Sequence, residues 1–327
     1  MTISSDVDII PIGLLNYPGS QLSSLYGLTD LFGAANNIVL EQMPDTKRKF
    51  QVCHWLVNLE TGELKCGYIS EGQAPSQLSA LIVPPRLSED AANTPMDIQN
   101  DWIRAQHKGG ALISSICAGA FVLAEAGLLK GRRATTHWIL REEFLKAHPD
   151  VDLQIEKLLV EDGEIITAGG VMAWVDLGLR LIEQFMGAAV MLEVAKFFLV
   201  DPSGREQRYY SGFMPRFDHG DSAVLKVQHW LQAHYKETFS VKTLADMAEL
   251  GERTFLRRFH KATTHKPTAY IQLLRVNKAR GFLEQSVLPF NQIAWKVGYE
   301  DPSAFRKLFQ KIVGLTPGEY KKRFAVG

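Results

Sequence analysis

Along the first two hundred residues the hydrophobic pattern changes period repeatedly. Asp8–Leu15 is a short apolar run that stops at Tyr17-Pro18-Gly19, which predicts a buried strand and a turn. From Leu22 to Ala35 the apolar residues recur at helical spacing. Phe50–Val57, Leu64–Ile69 and Ala80–Val83 read as strands, the last stopped by Pro84-Pro85, and Met96–His107 reads as a helix. Ala111–Ile116 is another buried strand that runs directly into Cys117 and a helix of small residues, Ala118–Ala126. Lys157–Glu161 and Glu164–Thr167 flank Asp162-Gly163, a hairpin signal. Gly169-Gly170 then opens a helix, and helical periodicity continues to Val200. Strands alternating with helices imply a mostly parallel sheet covered on both faces, so residues 1–200 are expected to form an α/β domain.

The pattern changes at Asp201. Residues 201–221 are rich in Gly, Pro, Ser and Tyr with little periodicity, and read as a linker. Residues 222–327 are helical throughout. Val241–Glu249 and Arg253–Ala262 flank a short turn containing Gly251, which is a helix-turn-helix pattern. Phe255 and Phe259, four apart, share the inner face, and Arg253, Leu256, Arg257 and His260 are left facing outward. The design recurs: Phe290–Lys296, a turn at Val297–Asp301 with Gly298, then a helix opened by Pro302. Phe305 and Phe309 repeat the aromatic pair, leaving Ser303, Arg306, Lys307 and Gln310 outward. One amphipathic helix, about Thr268–Glu284, separates the two units. Its length of roughly 25 Å suits two reading helices spaced about 34 Å apart, one turn of DNA.

Charge sharpens this division. The chain of 327 residues is neutral overall. Residues 1–221 nevertheless carry a net −10 and residues 222–327 a net +10, so only the second part suits a polyanion. The three cysteines, Cys53, Cys66 and Cys117, form no C-x-x-C pair, so neither a metal site nor a disulfide framework is expected, and free thiols fit the cytoplasm. No signal peptide is read at the N-terminus and no apolar stretch is long enough to span a bilayer.

The basic part resembles the AraC/XylS family of transcription regulators. The resemblance is carried by Leu244-Ala245, Arg253–Phe259, Pro267–Tyr270, Leu274-Arg275, Ala279-Arg280, Ile293-Ala294, the run Val297–Phe305, and Leu315-Thr316-Pro317 with Tyr320. It implies binding to double-stranded promoter DNA, with RNA polymerase as a further partner, and activation as the commoner sign of regulation. Arg257 and Lys307 are the expected base readers. Arg253, Ser303 and Arg306 are expected beside them, at bases or phosphates, and Leu256 against a thymine methyl.

In the acidic part, strand, Ser115-Ile116-Cys117-Ala118-Gly119, then helix has the shape of a nucleophile elbow. A thiol there lies at a helix N-terminus, which can lower its pKa, and His137 follows twenty residues on. From Tyr17-Pro18-Gly19 through Gly169-Gly170 to Asp176 this part resembles the class I glutamine amidotransferase-like superfamily, in its PfpI/ThiJ branch, which implies a flavodoxin-like sheet. The whole chain resembles a GlxA-type AraC-family regulator. Three departures argue against catalysis. Ile139 stands where an amidotransferase triad wants an acid, Ser20–Tyr26 contains no acid, and Pro84-Pro85-Arg86 replaces a Pro-Gly-Gly that supplies a backbone donor. The expected reading is a cytoplasmic, homodimeric regulator without cofactor. Its small-molecule effector, which the resemblance suggests contains nitrogen, sits near Cys117, His137, Arg86 and Gly169, with Arg86 pairing a carboxylate. Two alternatives stand beside it: a thiol-dependent amidase or hydratase fused to a DNA-binding domain, and a first domain that only dimerises.

Overall fold

The computed structural model describes residues 7–43, 46–57, 63–87, 97–202 and 204–326. The chain divides into two units, Met1–Gln207 and Arg208–Gly327.

In the first unit, β1 (Asp8–Asn16), α1 (Leu22–Gln42), β2 (Arg48–Val57), β3 (Leu64–Ile69) and β4 (Ala80–Val83) come first. Then follow α2 (Asp97–Lys108), β5 (Leu112–Ile116), α3 (Gly119–Glu125), β6 (Arg133–Ala134), α4 (Arg141–Ala147) and β7 (Asp152–Leu153). The unit closes with β8 (Leu159–Asp162), β9 (Ile165–Ala168), α5 (Trp174–Met186) and α6 (Ala188–Phe197). Seven strands make one sheet in the order β3-β2-β1-β4-β5-β9-β8, and β6 pairs with β7 apart from it. The five inner strands are parallel, and both edges, β3 and β8, are antiparallel. The strand order reverses between β1 and β4, which is where a doubly wound sheet opens a crevice at its carboxyl ends.

Burial on both faces explains the unbroken apolar runs. Ile12, Leu14, Ala80, Ile82, Ile166 and Ala168 pack into a core shared with α1, α5 and α6. Their neighbours Leu15, Leu81, Val83 and Ile165 point the other way, into a core with α2 and α3. The flavodoxin-like α/β reading is therefore correct, but some boundaries move. The first helix runs seven residues past Ala35, to Gln42. The hairpin turn is Gly163-Glu164, not Asp162-Gly163, because Asp162 pairs with Ile165 and binds the Arg133 backbone N–H through its carboxylate. Gly163 takes φ +62°, the left-handed backbone that favours glycine. Gly169-Gly170 leads into a turn, and the helix starts at Trp174. Gly187, at φ +93°, breaks the long apolar stretch into α5 and α6.

The second unit holds α7 (Ser222–Ala233), α8 (Val241–Met247), α9 (Glu252–Thr263), α10 (Pro267–Gln285), α11 (Phe290–Lys296), α12 (Pro302–Val313) and α13 (Pro317–Phe324). It has two cores. Phe255 and Phe259 pack with Leu244, Ala245 and Val227, and Phe305 and Phe309 with Ile293, Ala294 and Val313. The single helix α10 serves both, giving Tyr270, Ile271 and Leu274 to the first core and Val276, Ala279 and Leu283 to the second. The segment 201–221 is shared out: Gln207 lies in the first unit, while from Arg208 on it belongs to the second. There Asp221 caps α7 and takes a two-pronged ion pair from Arg258.

Candidate nucleic-acid interface and effector site

α8 and α9 form one helix-turn-helix, α11 and α12 the other. With Phe255 and Phe259 fully buried, geometry forces the opposite stripe of α9 outward: Arg253, Leu256, Arg257 and His260 are all exposed. Arg258, between them, turns inward to Asp221 and is not part of that stripe. On α12 the exposed residues are Ser303, Arg306, Lys307 and Gln310, again opposite two buried phenylalanines. Asp301 caps this helix by accepting from the Ser303 backbone N–H at 2.8 Å, so the Ser303 hydroxyl stays free of the cap. The Arg306 guanidinium lies 4.9 Å over the Phe290 ring, which fixes where its outer edge points.

Two arginines on α10 do something different. Arg275 donates to the carbonyls of Tyr235, Glu237 and Gly298, the last at 3.0 Å. Arg280, 6% exposed, donates to those of Arg208 and Ser211 and lies over Tyr320. Both tie loops to the spacer helix.

In the first unit Cys117 sits between β5 and α3 at φ +53°, a left-handed conformation rare for a residue with a side chain. Its backbone N–H donates to Ala168 O at 2.6 Å, and its carbonyl accepts from Thr136 Oγ1 at 2.8 Å. Gly119 is needed next to it, since a Cβ there would lie 2.6 Å from Val83 O and 2.8 Å from Pro84 O. This is a nucleophile elbow, but its thiol is not activated. Burial pushes the Cys117 thiol up to about 11, outweighing a hydrogen bond from the Ala118 backbone, so the expected helix-terminus lowering loses to desolvation. His137 is also compromised as a base. Burial lowers its pKa, and Nδ1 accepts from Ile139 N at 3.2 Å. The neutral ring then carries its proton on Nε2 and has no free lone pair.

Tyr17, 2% exposed, joins the remaining groups. Its hydroxyl donates to Pro84 O at 2.6 Å, Arg86 stacks 5.5 Å over its ring, and burial raises the phenol's pKa, so it stays a neutral donor. Pro85 O accepts from Gln21 N at 2.8 Å, and Gly19 O from Leu87 N at 2.9 Å, so the Pro84-Pro85-Arg86 segment is stitched to the loop after β1. Two buried polar atoms here, Arg86 Nε and Gln21 Oε1, have no hydrogen-bond partner among the described residues. Tyr17 also walls a cavity of about 580 Å³ with Asn16, Ser20, Leu22, Leu56, Val57 and Lys65, at the carboxyl ends of β1 and β2.

The space beside Gly169 is already filled. The Gln207 amide, 2% exposed, donates to Thr135 Oγ1, Thr136 O and Lys157 O, and accepts from Trp138 N. A Cβ on Gly169 would lie 1.9 Å from the Gln207 nitrogen. Arg86 and Tyr17 thus lie together at the loop after β1, while Cys117 is hydrogen-bonded to Ala168 and Thr136, on the side of Gly169 and the Gln207 amide. Gln207 lies in the segment read as linker, and an isolated amide in an aperiodic stretch carries no signal that reveals its partners.

The helix-turn-helix domain family matches residues 244–323, and the DJ-1/PfpI family matches residues 74–184. The regulator CdhR of Pseudomonas aeruginosa is 30% identical over 231 residues, 70% of this chain and 67% of that one. The regulator GlxA of Rhizobium meliloti is 27% identical over 228 residues, 68% of each chain. The crystal structure of Drosophila melanogaster DJ-1beta aligns with 59% of this chain and all of its own, at 22% identity and a TM-score of 0.46. The chain belongs to the family of transcriptional regulators in which a DJ-1/PfpI domain precedes an AraC-type helix-turn-helix domain.

Proposed function

We propose that the second unit reads a promoter duplex through α9 and α12, and that a small molecule held by the first unit sets the strength of that binding, raising transcription. Arg257 and Lys307 read base edges. Arg253, Ser303 and Arg306 position the helices, and Leu256 meets a thymine methyl. The observation that carries the reading is the repeated pairing of two buried phenylalanines with an exposed polar and cationic stripe. The test is a gel-shift series on a duplex recovered by in vitro selection. Arg257→Ala should weaken binding by about 1–3 kcal/mol, roughly 5- to 150-fold, and relax one base preference. Unchanged affinity and preference would remove α9 as the reading helix.

The effector site in this proposal is the cavity of about 580 Å³ walled by Tyr17, over whose ring Arg86 stacks. Arg86, stacked on Tyr17 beside this cavity, supplies a cation that suits the carboxylate of an amino-acid-like metabolite. Gly169 is closed off by the Gln207 amide, which also donates to Thr136 O beside His137. At a hundred times its Kd such a ligand stabilises the fold by about 2.7 kcal/mol. A thermal-shift screen of the full chain against amino acids and betaines should find one that raises the midpoint, and Arg86→Ala should abolish the rise. A screen without any stabilising compound speaks for a first unit that only dimerises.

The buried thiol and the occupied His137 ring favour this reading over a thiol-dependent hydrolase. A homodimer that recruits RNA polymerase in the cytoplasm is part of the proposal. Among the described residues no helix is long and apolar enough to cross a membrane.

A further inference from the structure

One buried side chain is held the way a protein holds a ligand. Gln207, the last residue of the first unit, is 2% exposed. Its Nε2 donates to Thr135 Oγ1 at 3.0 Å, Thr136 O at 2.8 Å and Lys157 O at 3.0 Å. Its Oε1 accepts from the Trp138 backbone N–H at 3.0 Å. Two amide hydrogens face three acceptors, so one hydrogen is shared. Carbonyl oxygens on one side and an N–H on the other admit a single orientation of the amide, so both ends of the carboxamide are read.

The walls of this pocket are held by bonds of their own. Thr135 and Thr136 are fully buried. Thr135 N donates to Thr167 Oγ1 at 2.8 Å, Thr135 Oγ1 to Lys157 O at 3.0 Å, and Thr136 Oγ1 to Cys117 O at 2.8 Å. These bonds join the segment after β6 to β9 and to the end of β5, so the acceptors are positioned without help from Gln207. Gly169 completes the wall, since a Cβ there would lie 1.9 Å from the Gln207 nitrogen. The residues just before Gln207 are pinned as well. Arg205 makes a two-pronged pair with Asp176, and Glu206 forms an antiparallel backbone bridge with Lys157. Taking the amide away leaves two carbonyls and an N–H buried and short of a partner, which is costly.

We propose that this pocket is a primary-carboxamide site, which Gln207 occupies as a tethered ligand and which a free primary amide enters once that side chain leaves. The ligand class follows from complementarity. A carboxylate of the same shape has no hydrogen to give Thr136 O and Lys157 O. A tertiary amide has none either, and carries methyl groups where those carbonyls stand. An ammonium ion offers no acceptor to the Trp138 N–H. Gln207 prevails while its backbone is pinned, because a tethered ligand acts at a high effective concentration. A free amide that displaces it loosens residues 204–207, directly before Arg208, where the second unit begins. The site shares no residue with the 580 Å³ cavity, so it stands independently of the effector proposed there.

The test is chemical rescue in the full chain. Gln207→Ala empties the pocket and should lower the melting midpoint of the first unit by about 4–8 °C. Millimolar acetamide should recover part of that loss, while acetate and N,N-dimethylacetamide at the same concentration should not. The wild type should respond to none of the three. Gln207→Met fills the same length with a thioether, so it should lose stability and stay unresponsive to acetamide. Trypsin cleavage after Arg205 is a second readout, faster in Gln207→Ala and slowed again by acetamide. Should that variant not keep its fold, the refolded yield with each additive makes the same comparison. Equal responses to the three additives, no effect of acetamide on midpoint, cleavage or yield, or a wild-type response as large as that of Gln207→Ala would overturn the proposal.

Discussion

At Cys117 the backbone and the side chain pull apart. The left-handed φ of +53° and the Gly119 approach to Val83 O belong to an elbow built to present a nucleophile. Desolvation nevertheless holds the group as a thiol, with a pKa of about 11 against an ordinary value near 8.5. The sign of the consequence follows from proton counts. Between roughly pH 8.5 and 11 the unfolded chain has lost this proton while the folded chain keeps it. The contribution of Cys117 to stability is therefore whole below pH 8.5 and is lost as pH climbs through 11. Urea unfolding at pH 8, 9 and 10 should show stability falling more steeply in the wild type than in Cys117→Ala. Equal slopes would mean that burial does not control this thiol. The same argument predicts slow alkylation of native Cys117 at neutral pH, where an activated nucleophile reacts quickly.

At the level of elements, local patterns were legible where one face decides burial. Phe255–Phe259 and Phe305–Phe309 fixed which stripes of α9 and α12 face outward, because a spacing of four is enough to orient a helix. Strands buried on both faces were legible from unbroken apolar runs such as Ala80–Val83. Sequence spacing did not reveal what depends on side chains meeting across the fold: the Gln207 amide beside Gly169, the Tyr17–Arg86 stack, or the Arg275 and Arg280 ties. Gly298 illustrates a turn residue whose necessity is tertiary. It sits at φ +86°, and a Cβ would lie 2.3 Å from the backbone oxygen of Lys236, with no flexible side chain to yield. Its carbonyl also accepts from Arg275. Gly298→Ala should cost about 1–3 kcal/mol in urea unfolding of the second unit. In a footprint it should weaken protection of the half-site read by α12 while the half read by α9 persists. A neutral substitution would mean that the turn adapts without cost.

For the whole molecule, charge is distributed so that the total hides the function. Moving the boundary from residue 221 to 207 leaves both sums unchanged, because Arg208 and Arg216 cancel Asp218 and Asp221. Each compact unit therefore carries a net charge of its own sign, −10 and +10. If net charge governed association with DNA, a neutral protein would bind with little dependence on salt. If the exposed cations of α9 and α12 govern it, each phosphate contact releases counterions, and log K falls with log salt at about 0.9 per contact. The two accounts separate in one titration of the intact protein on its selected duplex across potassium chloride concentrations. A slope of several units is expected, and Arg253→Ala, removing a positioning contact, should reduce it by about 1 while leaving the base preference intact. Arg257→Ala, by contrast, should alter the preference. A slope near zero would mean that the basic unit does not meet the duplex backbone, and the assignment of its outward stripes to DNA would fail with it.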